Sequence, residues 1–225
     1  MHEDAPAPYA YYPWKRPVAW VTWSLVGSTV AVFVLQLVAL HLDGDDVVGD
    51  ALAFTPDAFA DHRYWTLLAY AWAHAPVALG VPGLHLVANM IPLICLGPAL
   101  EEFLGPWRYL GLYLGGALAA GLVWFILNPH ADQGIIGASG AIFALIAAAG
   151  TAAPRARVMV YIFFVLPIRM SLRVLALTVC GVELAQILLG WMPEVAHSAH
   201  LGGAAFGFLY VVTTRYFSRR WGVPD

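Results

Sequence analysis

Six apolar runs set the frame for this chain: Ala19–His41, Leu84–Leu100, Tyr109–Leu127, Gly137–Ala153, Leu172–Gly190 and Ala199–Tyr216. Crossing the hydrocarbon of a bilayer takes about 20 apolar residues in a helix. Backbone polar groups inside lipid must be satisfied within the protein, which makes the helix the spanning form for runs of this length. The sequence therefore predicts an all-α, polytopic membrane protein with six transmembrane helices. A seventh run, Val158–Leu166, is short and followed by Pro167; it reads as part of a re-entrant or interfacial connection. Pro106, Pro154 and Pro193 mark helix ends.

Composition agrees and excludes other classes. Of 225 residues, 61% are apolar and 11% charged, with mean hydropathy +0.73, where a soluble chain carries about 25% charge. The formal net charge is -3 and there is no basic block, so nucleic acid is not an expected partner. No CxxC or HExxH pattern occurs, so neither a metal nor another cofactor is expected. Cys95 and Cys180 fall in apolar runs and read as small core residues rather than a disulfide. The first run follows Lys15-Arg16-Pro17 without a small-residue cleavage site behind it, and reads as a retained span. Residues 1–17 are expected to form a flexible tail, 18–217 one membrane domain, and 218–225 a C-terminal tail.

Basic residues orient the spans. With the N-terminus inside, Lys15, Arg16, Arg108, Arg155, Arg157, Arg169, Arg215, Arg219 and Arg220 lie on the inner side, and Arg63 alone lies outside. Both termini are then cytoplasmic, and a bacterial inner membrane is the expected location. The outer connection at 42–83 is long, acidic in its first half and aromatic in its second, from Tyr64 to Trp72. That aromatic content suggests a segment lying in the membrane interface.

Polar residues near the starts of three runs stand against this apolar background: His85 with Asn89, Ser139 within Gly137-Ala138-Ser139-Gly140, and His200. Such groups are costly in a membrane and need a reason. The second, fourth and sixth spans run in the same direction, so their starts share one depth and distant residues can meet there. A serine, a histidine and a His/Asn pair are the parts of a nucleophile, a base and an oxyanion hole. Taken singly, each has a blander reading. His85 and Asn89, one helical turn apart, could be a helix–helix hydrogen-bonding pair, and the Gly-rich turn a packing face.

The fourth span is also short. From Ser139 to Ala153 it rises about 22 Å at 1.5 Å per residue, less than the roughly 30 Å core. The segment 133–136 should therefore dip below the outer surface, where irregular backbone needs protein or a wet cavity around it. In the sixth span Gly203 and Gly207 form GxxxG, suited to dimerisation or to packing against the fourth span. His197 and His200 are three residues apart, but no acidic residue at ligand spacing suggests that they bind a metal.

Together these segments resemble the rhomboid family of intramembrane serine proteases: His85-Leu86-Val87-Ala88-Asn89, Gly137-Ala138-Ser139-Gly140-Ala141 and Ala199-His200-Leu201-Gly202-Gly203 through Gly207, in that order. The resemblance covers roughly residues 60–216. It implies a six-helix bundle whose short fourth helix starts inside the membrane. It further implies Ser139 as nucleophile, His200 as general base, and His85, Asn89 and the Ser139 N–H as oxyanion hole. Gly137 matches the first glycine of the family's GxSG. Phe143 matches an aromatic that packs on the catalytic histidine, Gly203 and Gly207 match close-packing glycines, and His74 matches a histidine before the second span. No Asp sits where a third catalytic member is expected, so the resemblance implies a Ser-His dyad.

The implied partners are the lipid bilayer and transmembrane substrates with helix-destabilising segments, met by a monomer or weak homo-oligomer. The fifth span and the 191–198 loop would act as gate and cap. Other readings are a non-catalytic client-binding relative, a small-solute transporter without an evident intramembrane carboxylate, or a metal-dependent hydrolase using His74, His85, His197 and His200.

Overall fold

Glycine and proline divide the apolar sequence into its helices. In the computed structural model, which describes residues 18–162, 166–192 and 195–214, α1 runs Trp20–Asp43 and stops at Gly44, whose φ of 80° is left-handed. The long connection that follows is not plain coil. It contains α2 (Val47–Leu52), capped by Asp46, and α3 (Pro56–Ala60), capped by Thr55 with proline in its first turn. Then come α4 (Thr66–Ala69) and a two-residue hairpin of β1 (Val77–Ala78) and β2 (Val81–Pro82). Gly83 introduces α5 (Leu84–Leu104), and Gly105 separates it from α6 (Pro106–Leu127). The remaining elements are α7 (Ser139–Ala152), β3 (Arg157–Ile162), β4 (Leu166–Ser171), α8 (Leu172–Leu189) and α9 (His197–Thr214).

Helices thus occupy all six apolar runs. By length and composition four of them can cross a membrane, at Trp20–Leu42, Leu84–Leu104, Pro106–Leu127 and Leu172–Leu189. Helix α7, with 14 residues, is a shorter apolar helix. The all-α expectation needs amending at 157–171. The run expected to be re-entrant or interfacial forms an antiparallel hairpin, with Arg157 opposite Ser171 and Val160 opposite Ile168. Val158, Val160, Tyr161 and Ile162 suit a pleated strand, and a run this short cannot be told from a helix by periodicity. Cys95 also departs from expectation: it is exposed on α5 rather than part of the core.

Helix α7 is the centre of the bundle, packed against α5, α6, α8 and α9. Its Gly140, Ala141, Ala144, Leu145 and Ala148 are buried. Lipid supplies no hydrophobic force between helices, so close packing of small residues does that work. A Cβ on Gly203 would overlap the Gly140 carbonyl oxygen, and one on Gly207 the Ala144 carbonyl oxygen. The GxxxG face therefore serves packing of α9 on α7 within one molecule. The outward faces of α1 and α8 are apolar, with Val34, Leu35, Leu177 and Leu188 exposed.

Two buried polar side chains tie α1 to the bundle. No side chain of its own caps α1; Glu101 of α5 does so instead. Its carboxylate accepts from Val21 N at 2.9 Å, Thr22 N at 2.7 Å and Thr22 Oγ1 at 2.8 Å, satisfying donors that a helix start leaves open. Gln36 of α1 accepts from His74 N at 3.0 Å and donates to His74 O at 3.1 Å and Asp46 Oδ2 at 2.7 Å. Replacing Glu101 by Ala strands those donors and should cost about 1.5–3 kcal/mol. Thermal unfolding in detergent, compared with wild type, measures this.

Candidate active site

The starts of α5, α7 and α9 meet at one end of the bundle, which brings the three polar spots of the sequence together. Ser139 is the first residue of α7, where helix geometry leaves its N–H without an intrahelical partner. His200 lies one turn into α9, and its Nε2 is 2.7 Å from Ser139 Oγ. The imidazole stacks on Phe143, one turn beyond Ser139, with ring centroids 4.6 Å apart and planes 3° from parallel. That stack fixes the ring plane while leaving its two nitrogens at the edges.

Gly137 carries the turn into α7 at φ 115°, a conformation that side chains resist. Space makes a second demand for glycine. A Cβ there would come within 2.7 Å of His85 Nε2. His85 reaches this point from the first turn of α5, and its tautomer follows from its other nitrogen. Nδ1 accepts from Ala75 N at 3.1 Å, so in the neutral ring the proton is on Nε2, beside Gly137. A donor is thus presented next to the serine turn. Asn89 lies one turn further along α5; its Nδ2 donates to His85 O at 2.8 Å. That uses one of its two N–H bonds.

His74 supports the turn from the other side. It is buried, 5.0 Å from His85 between ring centroids. Nδ1 faces Trp72 O at 3.2 Å, and Nε2 accepts from Ala138 N at 3.4 Å. Burial, aided by the neighbouring His85, pushes the imidazole down to about 4. It is therefore neutral near pH 7, as a ring accepting at Nε2 must be. Tyr70 completes the support: its carbonyl accepts from Gly137 N at 2.9 Å and its hydroxyl donates to Ala117 O at 2.7 Å. The approach to α7 at Ile135 bridges to Phe54 of the long connection.

One acidic residue escaped the sequence reading. Glu183 of α8 is buried, with Oε2 2.6 Å from His197 Nδ1 and 3.0 Å from His200 Nδ1. This carboxylate on α8 corrects two expectations: that no acidic group accompanies the histidine pair, and that no intramembrane carboxylate is evident. The chain offered one signal, a glutamate inside an apolar run. Its spacing from His197, fourteen positions, does not reveal that the two helices put them in contact. Glu183, His197 and His200 also bring donor atoms within 4.8 Å of one another, a set able to hold a metal ion. A cavity of about 370 Å³ adjoins this end, lined in part by Gly134, Ile135, Ala196 and His197.

Apolar helices around a half-buried serine–imidazole pair define an integral membrane protein with a polar centre at its helix starts. The chain belongs to the rhomboid family: the family's Rhomboid domain matches residues 61–217. It is 30% identical over 144 residues to RHOMBOID-like protein 5 of Arabidopsis thaliana, covering 64% of this chain and 42% of that protein. RHOMBOID-like protein 12, mitochondrial, of the same plant is 31% identical over 166 residues, covering 66% and 46%. Rhomboid protease GluP of Bacillus subtilis is 25% identical over 184 residues, covering 80% and 32%. The chain spans less than half the length of each of these three relatives.

Proposed function

We propose that this chain is an intramembrane serine protease, hydrolysing peptide bonds in or next to transmembrane helices of membrane-protein substrates. The observation that carries this reading is the 2.7 Å contact between Ser139 Oγ and His200 Nε2. The kinship with a family that includes a named protease supports it. Residues 18–217 act as one domain with six spans. Its Lys and Arg distribution puts both termini on the cytoplasmic side of the membrane, a bacterial inner membrane in our reading.

His200 Nε2 takes the proton of Ser139 as Oγ bonds to the substrate carbonyl carbon. The carbonyl oxygen, now an anion, is met by the Ser139 N–H, His85 Nε2–H and Asn89 Nδ2–H. His200 then delivers its proton to the leaving nitrogen as the C–N bond breaks, and water releases the acyl group by the same steps in reverse roles. The substrate helix must unwind to expose its carbonyl, so segments with Gly or Pro are favoured. Opening of α8 and the 191–198 loop admits it; Pro193 and Glu194 of that loop lie outside the described residues.

The test is to offer the purified protein in detergent a transmembrane substrate and, separately, a fluorophosphonate. Cleavage and labelling at Ser139 are the expected results. A protein that does neither across varied substrates is a client-binding relative instead. Replacing His85 by Ala removes one oxyanion donor and should lower kcat about 10²–10³-fold, measured as initial cleavage rates at saturating substrate.

A further inference from the structure

The base His200 has a neighbour on each ring nitrogen. Nε2 faces Ser139, and Nδ1 faces Glu183 Oε2 at 3.0 Å. Nδ1 is buried and makes no aligned hydrogen bond, so the carboxylate is the polar group that its proton meets, although the N–H direction is not ideal. The carboxylate itself is held elsewhere. Its shorter contact, 2.6 Å, is to His197 Nδ1, and His197 Nε2 is 3.1 Å from the carbonyl oxygens of Trp191 and Met192. All three oxygens around His197 are acceptors, and an imidazolium–carboxylate pair satisfies every one of them. His197 thereby anchors Glu183 between α8 and the first turn of α9, where a helix start also favours negative charge.

We infer that Glu183 is a positioning residue of the Ser139–His200 pair: anchored by His197, its carboxylate holds the Nδ1 proton of His200 and so keeps Nε2 open to accept from Ser139. This rests on the serine-protease reading above and changes its dyad into a chain of three groups contributed by α7, α9 and α8. As Ser139 attacks, its proton moves to Nε2 and His200 becomes an imidazolium, whose charge Glu183 faces. The carboxylate stays ionised throughout, and the proton on Nε2 leaves with the amine. A ring with its proton on Nε2 cannot act as the base at all, so an acceptor at Nδ1 bears directly on the active fraction. Because α8 supplies the carboxylate, displacing α8 to admit substrate would also loosen the base until the helix returns.

The test compares wild type, Ser139→Ala, Glu183→Gln and Glu183→Ala as full-length protein in detergent. It reads fluorophosphonate labelling rate, kcat, KM and melting temperature. Glu183→Ala should label and turn over at least about tenfold more slowly, with KM within about twofold. Glu183→Gln, which keeps the size and one acceptor oxygen but not the charge, should fall between it and wild type. If Glu183→Ala does not fold, Glu183→Gln decides alone, and an undiminished labelling rate and kcat in Gln overturns the inference. So does a loss in proportion to lowered melting temperature, which marks a packing role. Activity removed by chelator and restored by zinc also overturns it, making Glu183 a metal ligand. A wild type that neither labels nor cleaves refutes the protease reading itself, an outcome distinct from an active wild type indifferent to Glu183.

Discussion

Ser139→Ala and His200→Ala should each lower kcat for a transmembrane substrate by on the order of 10⁴-fold or more, and the double variant should be little worse than either. In the proposed reaction the serine supplies the atom that bonds to the carbonyl, and the histidine takes its proton. With Oγ and Nε2 already 2.7 Å apart, the two act as one unit, so their losses cannot add. Substrate affinity should persist, because neither side chain is part of the cavity beside Ile135 and Ala196. Time courses of substrate cleavage, with binding followed separately, decide the matter. A Ser139→Ala protein that kept a tenth of the wild-type rate would place the nucleophile elsewhere.

Gly207→Val and Gly203→Ala should produce the second large effect, this time on the fold. The added carbon would overlap a backbone carbonyl of α7 in each case, at Ala144 and Gly140 respectively. A flexible side chain could swing aside, but main chain inside a helix cannot. The two helices must separate, and overpacking of this kind costs about 1–3 kcal/mol or more. Melting in detergent should fall on the order of 10 °C. Gly203 is one turn from His200, and Gly140 follows Ser139, so Gly203→Ala should also slow cleavage at temperatures where the protein remains folded. Gly181→Ala on α8 is the control, since its Cβ would meet nothing within 4 Å and melting should be unchanged.

The contrast between Ser139 and Glu183 measures what the sequence could disclose. Three spans of like direction imply that their starts share a depth, so the meeting of His85, Ser139 and His200 could be anticipated from parity. Rotation about each helix axis is not encoded that way. Glu183 sits deep in an apolar run, and nothing in its local pattern says whether it faces α9 or lipid. Its partners are determined by the approach of α8, which tertiary packing decides. The hairpin at 157–171 was hidden for a different reason: a short run of Val, Tyr and Ile satisfies a strand and a buried helix equally. The short helices of the 42–83 connection were hidden by their size, because four to six residues are too few to show a period. Glycines were the most informative local signal. Gly137 combined a left-handed turn with the nearness of His85, and Gly203 with Gly207 made a close helix crossing readable in advance.

The polar clasps of α1 give the family's boundaries a physical meaning. The Rhomboid domain match begins at residue 61, beyond α1, yet Gln36 holds both backbone groups of His74 and the N-terminus of α1 is satisfied by Glu101. His74 in turn abuts the serine turn. The segment covered by the domain match is therefore smaller than the bundle that packs around the site. A fragment cut at residue 61 would retain every residue of the proposed reaction while losing the clamp on the loop beneath them. The domain match outlines where the candidate site is written; the architecture that holds it begins a helix earlier.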